Sequence, residues 1–344
     1  MDIHYWDGVA RGATGALLAL LAVMFGRDLR ASLTARFGLA LTLGGVCYLF
    51  ITYPATASDW ALWRLPIQAL SLMTPGLFWV FVETWFDDEF ELRWFHPLGI
   101  IAVAAPGLMY SGPLHTDYLG DLSSLFSLIA ICLGLWAALR GRNGDLVEAR
   151  RRARLVLAIV IGGLIATVIG IEAQDGTATP AWRLTNVAAL ALLAATLAVT
   201  LLGWRDPSLL SPPSRAVAKP GDAALPDEGR LLAAVESLMR SERLYRTDRL
   251  TVTAVAGRLG VPEYRLRRAI NQGSGARNFN AFLNHYRLDE VKAARVDPAQ
   301  REVPILTMAL DSGFGSLAPF NRAFKAATGL TPTAYRQRGP KDPD

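Results

Sequence analysis

Seven apolar runs, each near the length at which a helix crosses a bilayer, crowd into the first 205 residues, and none follows them. The hydrocarbon core is about 30 Å thick and needs about 20 apolar residues of helix. In lipid, backbone polar groups must be satisfied internally, which restricts such runs to helices. The pattern places spans near Val9–Phe25, Phe37–Tyr53, Leu65–Trp85, Pro97–Ser111, Leu119–Leu139, Leu155–Ile171 and Leu184–Trp204. The fourth is short and interrupted by Pro106-Gly107, so a re-entrant or tilted element is the alternative there.

Charge divides the chain at the same place. Residues 1–214 hold 14 Lys/Arg against 16 Asp/Glu, whereas residues 215–344 hold 21 against 14, so the positive balance belongs to the tail. Arginine also reports orientation, because cytoplasmic loops carry the excess of Lys and Arg. The loops after spans one, three and five contain ten arginines, among them Arg27, Arg30, Arg36, Arg93 and the cluster Arg150, Arg151, Arg152 and Arg154. The opposite side has three: Arg11, Arg64 and Arg183. This bias predicts an external N-terminus and delivers the tail, after Arg205, to the cytoplasm. Asp2 and Asp7 precede the first run where a secretion signal would carry basic residues, so that run is expected to be retained as a span.

Aromatic residues at span ends are expected boundary anchors: Tyr5, Trp6, Trp60, Trp63 and Trp182 outside, and Trp85, Trp94, Trp136 and Trp204 inside. Small residues at four-residue spacing, Gly162, Ala166 and Gly170 or Gly8, Gly12 and Ala16, suit close helix approach within one bundle or between two copies. Arg64, Glu83 and Glu172 lie near span ends, where snorkelling competes with a place in a signal-sensing cavity. Cys47 and Cys132 sit in apolar runs and suggest no disulfide framework.

Between residues 206 and 229 the chain carries Pro207, Pro212, Pro213, Pro220 and Pro226 among Ser, Gly and Ala, a tether spanning roughly 25–30 Å as a flexible coil. Beyond it, short amphipathic segments replace the long runs. Helices are predicted near Leu231–Ser241, Val252–Arg258, Pro262–Asn271, Phe279–Ala294, Ile305–Ser312, Leu317–Ala327 and Pro332–Gln337. Two pairs share a plan: a short helix, a turn containing Gly260 or Gly313, and a second helix bearing arginine. A helix-turn-helix buries its first helix against the second and leaves the second's outer face for the major groove. Pro262 and Pro319 suit first turns, where a missing N–H costs little. Phe314, Phe320 and Phe324 are expected as core.

The stretch Gly313-Phe314, Phe320, Arg322, Phe324-Lys325, Gly329, Thr331-Pro332 and Tyr335-Arg336 resembles the second-half signature of the AraC/XylS family of bacterial transcription regulators. Ala256, Leu259-Gly260-Val261, Leu266 and Arg268 fit the first half, and Tyr286-Arg287-Leu288 resembles the end of the family's connecting helix. The resemblance covers residues 230–338, with 339–344 as a tail. It implies a double helix-turn-helix, homeodomain-like domain over that stretch, and together with the seven-helix transmembrane bundle (1–205) and linker (206–229) read from the apolar runs and composition it makes the expected fold all-α. It further implies that Tyr264, Arg267 and Arg268 read DNA from the first recognition helix, and Leu317, Ala318, Asn321 and Arg322 from the second. Arg and Asn are chemically apt, gripping guanine O6/N7 and adenine N6/N7. Leu317 and Ala318 offer only apolar contact, as to a thymine methyl. Arg265 and Lys325 suit phosphates, which set affinity without reading sequence. Pro262-Glu263 stands where the family commonly has Ser at the helix start.

Neither a Walker loop, nor a Gly-x-Ser-x-Gly elbow, nor a Cys/His pair at metal spacing occurs, so no enzyme, cofactor or metal site is expected. Asp87-Asp88-Glu89 and Glu91 read as a solvated loop. The partners implied are promoter DNA, RNA polymerase, membrane lipid, a second copy of the chain, and a small-molecule or membrane signal. The rival reading is a transporter or receptor whose basic tail docks on anionic lipid or protein. It leaves the two helix-turn-helix patterns unexplained.

Overall fold

Each of the seven apolar runs is helical in the computed structural model, which describes residues 3–30, 32–53, 61–111, 116–175, 180–203, 226–296 and 303–338. The chain divides into two units, Met1–Arg140 with Arg152–Ser214, and Gly141–Arg151 with Arg215–Asp344.

The first unit is built from α1 (Ile3–Arg27), α2 (Leu33–Ile51), α3 (Ala61–Phe86), α4 (Phe95–Tyr110), α5 (Asp117–Leu139), α6 (Glu148–Asp175) and α7 (Pro180–Gly203). Helix α3 packs against α2, α4 and α5, and α1 against α2 and α7. Phe25 and Phe81 meet edge to face at 5.7 Å in the core. Large apolar side chains also face outward, Val23, Ile101, Ile159 and Val199 among them, as lipid-facing helices require. Among the described residues, five helices are long and apolar enough to cross a membrane: Tyr5–Arg27, Leu33–Ile51, Arg64–Phe86, Asp117–Gly144 and Leu184–Leu201. Helix α4 is unbroken at Pro106, but its 16 residues rise only about 24 Å.

Several polar groups among the described residues of this unit are paired. Glu83 meets His96 Nε2 at 3.1 Å, and the Arg93 N–H donates to His96 Nδ1 at 2.9 Å. Arg64 is exposed. Buried Arg11 donates to Leu49 O at 2.7 Å and Thr52 Oγ1 at 2.9 Å, closing the C-terminus of α2. Buried Arg154 donates to Phe86 O and Arg140 O, both at 2.8 Å, and so ties the ends of α3 and α5.

Two sequence expectations change here. The Trp85 side chain, expected as an anchor, is buried against Phe81 and Phe86, whereas those of Tyr5, Trp6, Trp94 and Trp136 are exposed. Gly8, Gly12 and Ala16 are exposed, with open space at both glycines, so that stripe joins no helices among the described residues. Close approach occurs elsewhere, where a Cβ on Gly76 would lie 2.9 Å from Ile100 Cα. Trp60, Trp204, Arg205 and most of the linker lie outside the described residues, as do the side chains of Trp63, Gly162, Ala166, Gly170, Glu172, Trp182 and Arg183.

The second unit contains α8 (Pro226–Ser241), α9 (Val252–Leu259), α10 (Glu263–Ser274), α11 (Phe279–Val296), α12 (Ile305–Asp311), α13 (Leu317–Thr328) and α14 (Pro332–Arg338). Among the described residues there are no strands; Asp145 and Asn278 form an isolated antiparallel bridge. Two cores form. Val235, Met239, Val255, Leu266, Ile270 and Leu283 centre the first, and Leu288, Val291, Phe314, Phe320 and Phe324 the second. Long helix α11 contributes to both, so it is the spine of the unit.

The two cores meet at Gly313. Its φ is +97°, and a Cβ there would lie 2.8 Å from Arg246 Cα and Tyr245 O, so conformation and space both demand glycine. Substitution of Gly313 by Ala should destabilise the α12–α13 pair by about 1–3 kcal/mol or more, read as faster amide exchange across α12 and α13 in the full-length protein while α1–α5 are unchanged.

Candidate nucleic-acid interface

The first helix pair is set by its ends. Thr251 caps α9 by accepting from the Ala254 N–H at 3.1 Å. Gly260 then turns left-handed at φ 65°, and the Val261 N–H returns to Ala256 O at 3.0 Å. Pro262 stands just outside α10 as its N-cap, with no side-chain cap bond. Glu263 instead occupies the first turn, where the helix dipole favours an anion, and accepts from Thr253 Oγ1 at 2.8 Å across the turn. Leu266, Ala269 and Ile270 are buried, which fixes the rotation of α10.

In the second pair, Phe314 N–H reaches back to Ala309 O at 3.0 Å, and Ser316 precedes α13 in extended conformation. Pro319 is the third residue of that helix. Phe314, Phe320 and Phe324 are all buried, with successive centroids 5.2 and 5.5 Å apart, and Tyr335 closes the row on Phe324 at 5.3 Å. Arg287 pins α11 to this core. Its Nε donates to Tyr245 O at 2.8 Å, and its guanidinium lies 5.6 Å from the Phe314 ring centre. Burial pulls the Arg287 pKa down, against the opposing charge of Asp248.

Most residues expected to serve DNA lie outside these cores. Tyr264 is 66% exposed, and Leu317, Ala318, Asn321 and Lys325 are exposed along α13. Arg265 and Arg322 are half-buried and engaged with neighbours. Arg268 is exposed, with Nε 3.0 Å from Glu228 Oε1 of α8, a carboxylate that is itself buried.

Arg267 is different, with only 2% of its surface exposed. Its Nη1 donates to Asp145 O and its Nη2 to Asn143 O, both at 2.6 Å, while Nε donates to Glu263 Oε1 at 2.8 Å. The guanidinium thus faces inward, onto a segment 122 residues earlier in the chain. As placed, it has no free fork for a base edge.

That segment, Gly141–Arg151, joins α5 to α6 in the sequence but belongs to the second unit. A 3-10 turn at Arg142–Gly144 leads to Asp145, and Leu146 inserts into the first core with 2% exposure. The Leu146 N–H donates to Arg277 O at 2.8 Å, and Asp145 also meets Arg150 at 3.5 Å. In the sequence these residues read as a basic loop, and nothing there marks Glu228 or Glu263 as partners of the helix pair. For Leu146 the signal in the sequence was the apolar pair Leu146-Val147 set between Asp145 and Glu148.

Two arginine-bearing second helices over buried aromatic and aliphatic cores form the frame of a DNA reader. Residues 255–338 match the family model described as a helix-turn-helix domain. The chain therefore carries an AraC-type DNA-binding domain beside N-terminal helices long and apolar enough to span a membrane. No curated protein and no solved structure matches the chain. The matched segment excludes Asn143, Asp145 and Glu228, so the groups holding Arg267 and Arg268 come partly from outside that segment.

Burial alone would raise the Glu263 carboxyl, but hydrogen bonds from Arg267 and Thr253, with the Arg267 and Arg151 charges, hold it below the usual carboxylate range. A depressed folded pKa stabilises above the unfolded value of about 4.3 and is lost as pH falls through the folded one. The stability advantage of the wild type over Glu263→Gln should hold at neutral pH and vanish toward strong acid, as followed by denaturant unfolding at stepped pH.

Proposed function

We propose that the chain is a membrane-anchored, sequence-specific transcription regulator of the AraC type. The observation that carries this reading is the matched domain with its two outward second helices, α10 and α13, on a chain whose other half is built of lipid-length helices. The two helices enter neighbouring major-groove segments of promoter DNA, each groove being wide enough for one helix.

From α10, Tyr264 and Arg268 face the bases and Arg265 the phosphates. From α13, Asn321 and Arg322 carry hydrogen-bonded reading, Leu317 and Ala318 pack on base methyls, and Lys325 binds the backbone. Residues 1–205 anchor the protein in a bacterial inner membrane, and the arginine bias orients the N-terminus outward and the DNA domain toward the cytoplasm. Residues 206–225 tether the two halves, since 226–229, counted with the linker on composition, open α8 instead. Signal reception, from a membrane or small-molecule stimulus, belongs to the helical bundle. Pairing of two chains there would raise the effective concentration of the second DNA domain, and contact with RNA polymerase would turn occupancy into activation.

The reading residues have separable signatures. In full-length protein held in lipid discs, Arg268→Ala and Asn321→Ala should each cost about 1–3 kcal/mol on duplexes enriched by the wild type, and relax preference at one base position. Lys325→Ala should weaken all duplexes alike and flatten the salt dependence by about one ion. Indifference of sequence preference to both Arg268 and Asn321 would remove them from the reading set.

A further inference from the structure

Resting on the DNA-binding reading above, we propose that the segment Gly141–Val147 is a latch that withholds Arg267 from DNA, so that the membrane helices on either side of it govern the first recognition helix.

The segment is seated, not merely adjacent. Leu146 is buried in the core of the first helix pair, its N–H is bonded to Arg277 O, and Asp145 is bridged to Asn278 just before α11. Asp145 Oδ1 also accepts from the Val147 N–H at 3.1 Å, which shapes the turn that presents its own carbonyl. Two of those presented carbonyls, at 143 and 145, take the donors of Arg267, and Glu263 takes the rest of the fork.

Arg267 occupies a place on α10 next to Arg268 and one turn from Tyr264 and Glu263. Anchoring the segment would require only the Leu146 plug and the bridge. The additional feature is that it satisfies the guanidinium with carbonyl oxygens, the same acceptor class as guanine O6. One set of donors can therefore serve the segment or a base, but not both.

Position in the chain gives the latch its input. Only Arg140–Arg142 lie between the end of α5 and Asn143, and α6 begins at Glu148. Movement of either helix is passed to the segment with little slack, since extended chain adds at most about 3.6 Å per residue. The helix after the tether acts on the neighbouring arginine through Glu228 and Arg268. Both places where the chain arrives from the apolar half thus engage an arginine of α10.

The bridge gives a reversible test. Opposed residues of an antiparallel bridge have Cα atoms about 4.5–5.5 Å apart, within the range a disulfide spans. Asp145→Cys with Asn278→Cys, in full-length protein carrying Cys47→Ala and Cys132→Ala and held in phosphatidylethanolamine/phosphatidylglycerol vesicles, locks the latch on oxidation. The probes are duplexes enriched from a random-sequence pool by the wild-type chain.

Oxidised protein should bind them about 5–100-fold more weakly than the same sample after reduction, the loss expected for one bidentate Arg–guanine contact. The difference should vanish in Arg267→Ala. Leu146→Ser, which withdraws the plug without a disulfide, should bind more tightly than wild type. Equal or tighter binding when oxidised overturns the latch and leaves the DNA-binding reading standing. Persistence of the effect in Arg267→Ala assigns it to the bulk of the loop and overturns the role of Arg267. If the double substitution itself abolishes binding, Leu146→Ser decides, and affinity no higher than wild type overturns the latch. A pool from which the wild type enriches no duplex overturns both readings.

Discussion

A guanidinium taken out of water must find acceptors for its five N–H groups, because leaving a charged donor buried and unpaired costs more than almost any other defect. In this chain the acceptors are backbone carbonyls at places where regular structure stops. Arg11 takes those at the end of α2, Arg154 those ending α3 and α5, Arg287 one in the turn after α8, and Arg267 two in the segment between α5 and α6. The last carbonyls of a helix have no intrahelical partner and sit at the negative end of its dipole, so they suit a cation on two counts. Each such arginine fixes the geometry of a chain reversal that apolar packing alone would leave loose. The helix bundle and the DNA domain use one device.

That device explains what was legible in the sequence. Helices in the second unit follow from apolar spacing, and their bounds agree closely with expectation, from Val252–Leu259 to Pro332–Arg338. The aromatic row of Phe314, Phe320 and Phe324 follows from the same periodicity. Partners of charged residues do not follow, since periodicity states on which side of a helix a residue lies but not what covers that side. Residue 267 falls on the flank of α10, one turn after Glu263 and beside the buried stripe of Leu266 and Ile270. A flank residue reads as solvent-facing until some distant segment closes over it. Trp85 shows the same gap in the first unit: a tryptophan near a span end reads as a boundary anchor, yet neighbouring aromatics enclose it.

The unit division carries the same lesson at larger scale. Composition separates an apolar half from a basic half, and the boundary near residue 205 is plain in the charge pattern. Composition cannot show that eleven residues from the middle of the apolar half fold with the basic one. Their attachment rests on a single leucine, one bridge and a few carbonyls, none of which alters mean hydropathy or charge. The matched segment, residues 255–338, thereby shares its first core with pieces outside it: α8, and the segment with Leu146.

Energetic scale decides whether such an attachment can also release. Hydrogen bonds that involve a charged group are worth about 1.5–3 kcal/mol each, net of the water they replace, and a well-formed Arg–guanine pair discriminates by about 1–3 kcal/mol. The two carbonyl bonds together, about 3–6 kcal/mol, exceed one guanine contact by a few kcal/mol at most, so the segment keeps Arg267 at rest. Those bonds are within reach of the guanine contact added to the about 1–3 kcal/mol over which coupled sites commonly communicate. Had Arg267 been held by two buried carboxylates, releasing it would have left uncompensated anions behind, and the equilibrium would be fixed. The acceptors on the segment are carbonyls, neutral once vacated and open to water when it lifts, and the one carboxylate on the fork, Glu263, belongs to α10 itself. The choice of backbone over side-chain acceptors is thus what makes this contact reversible.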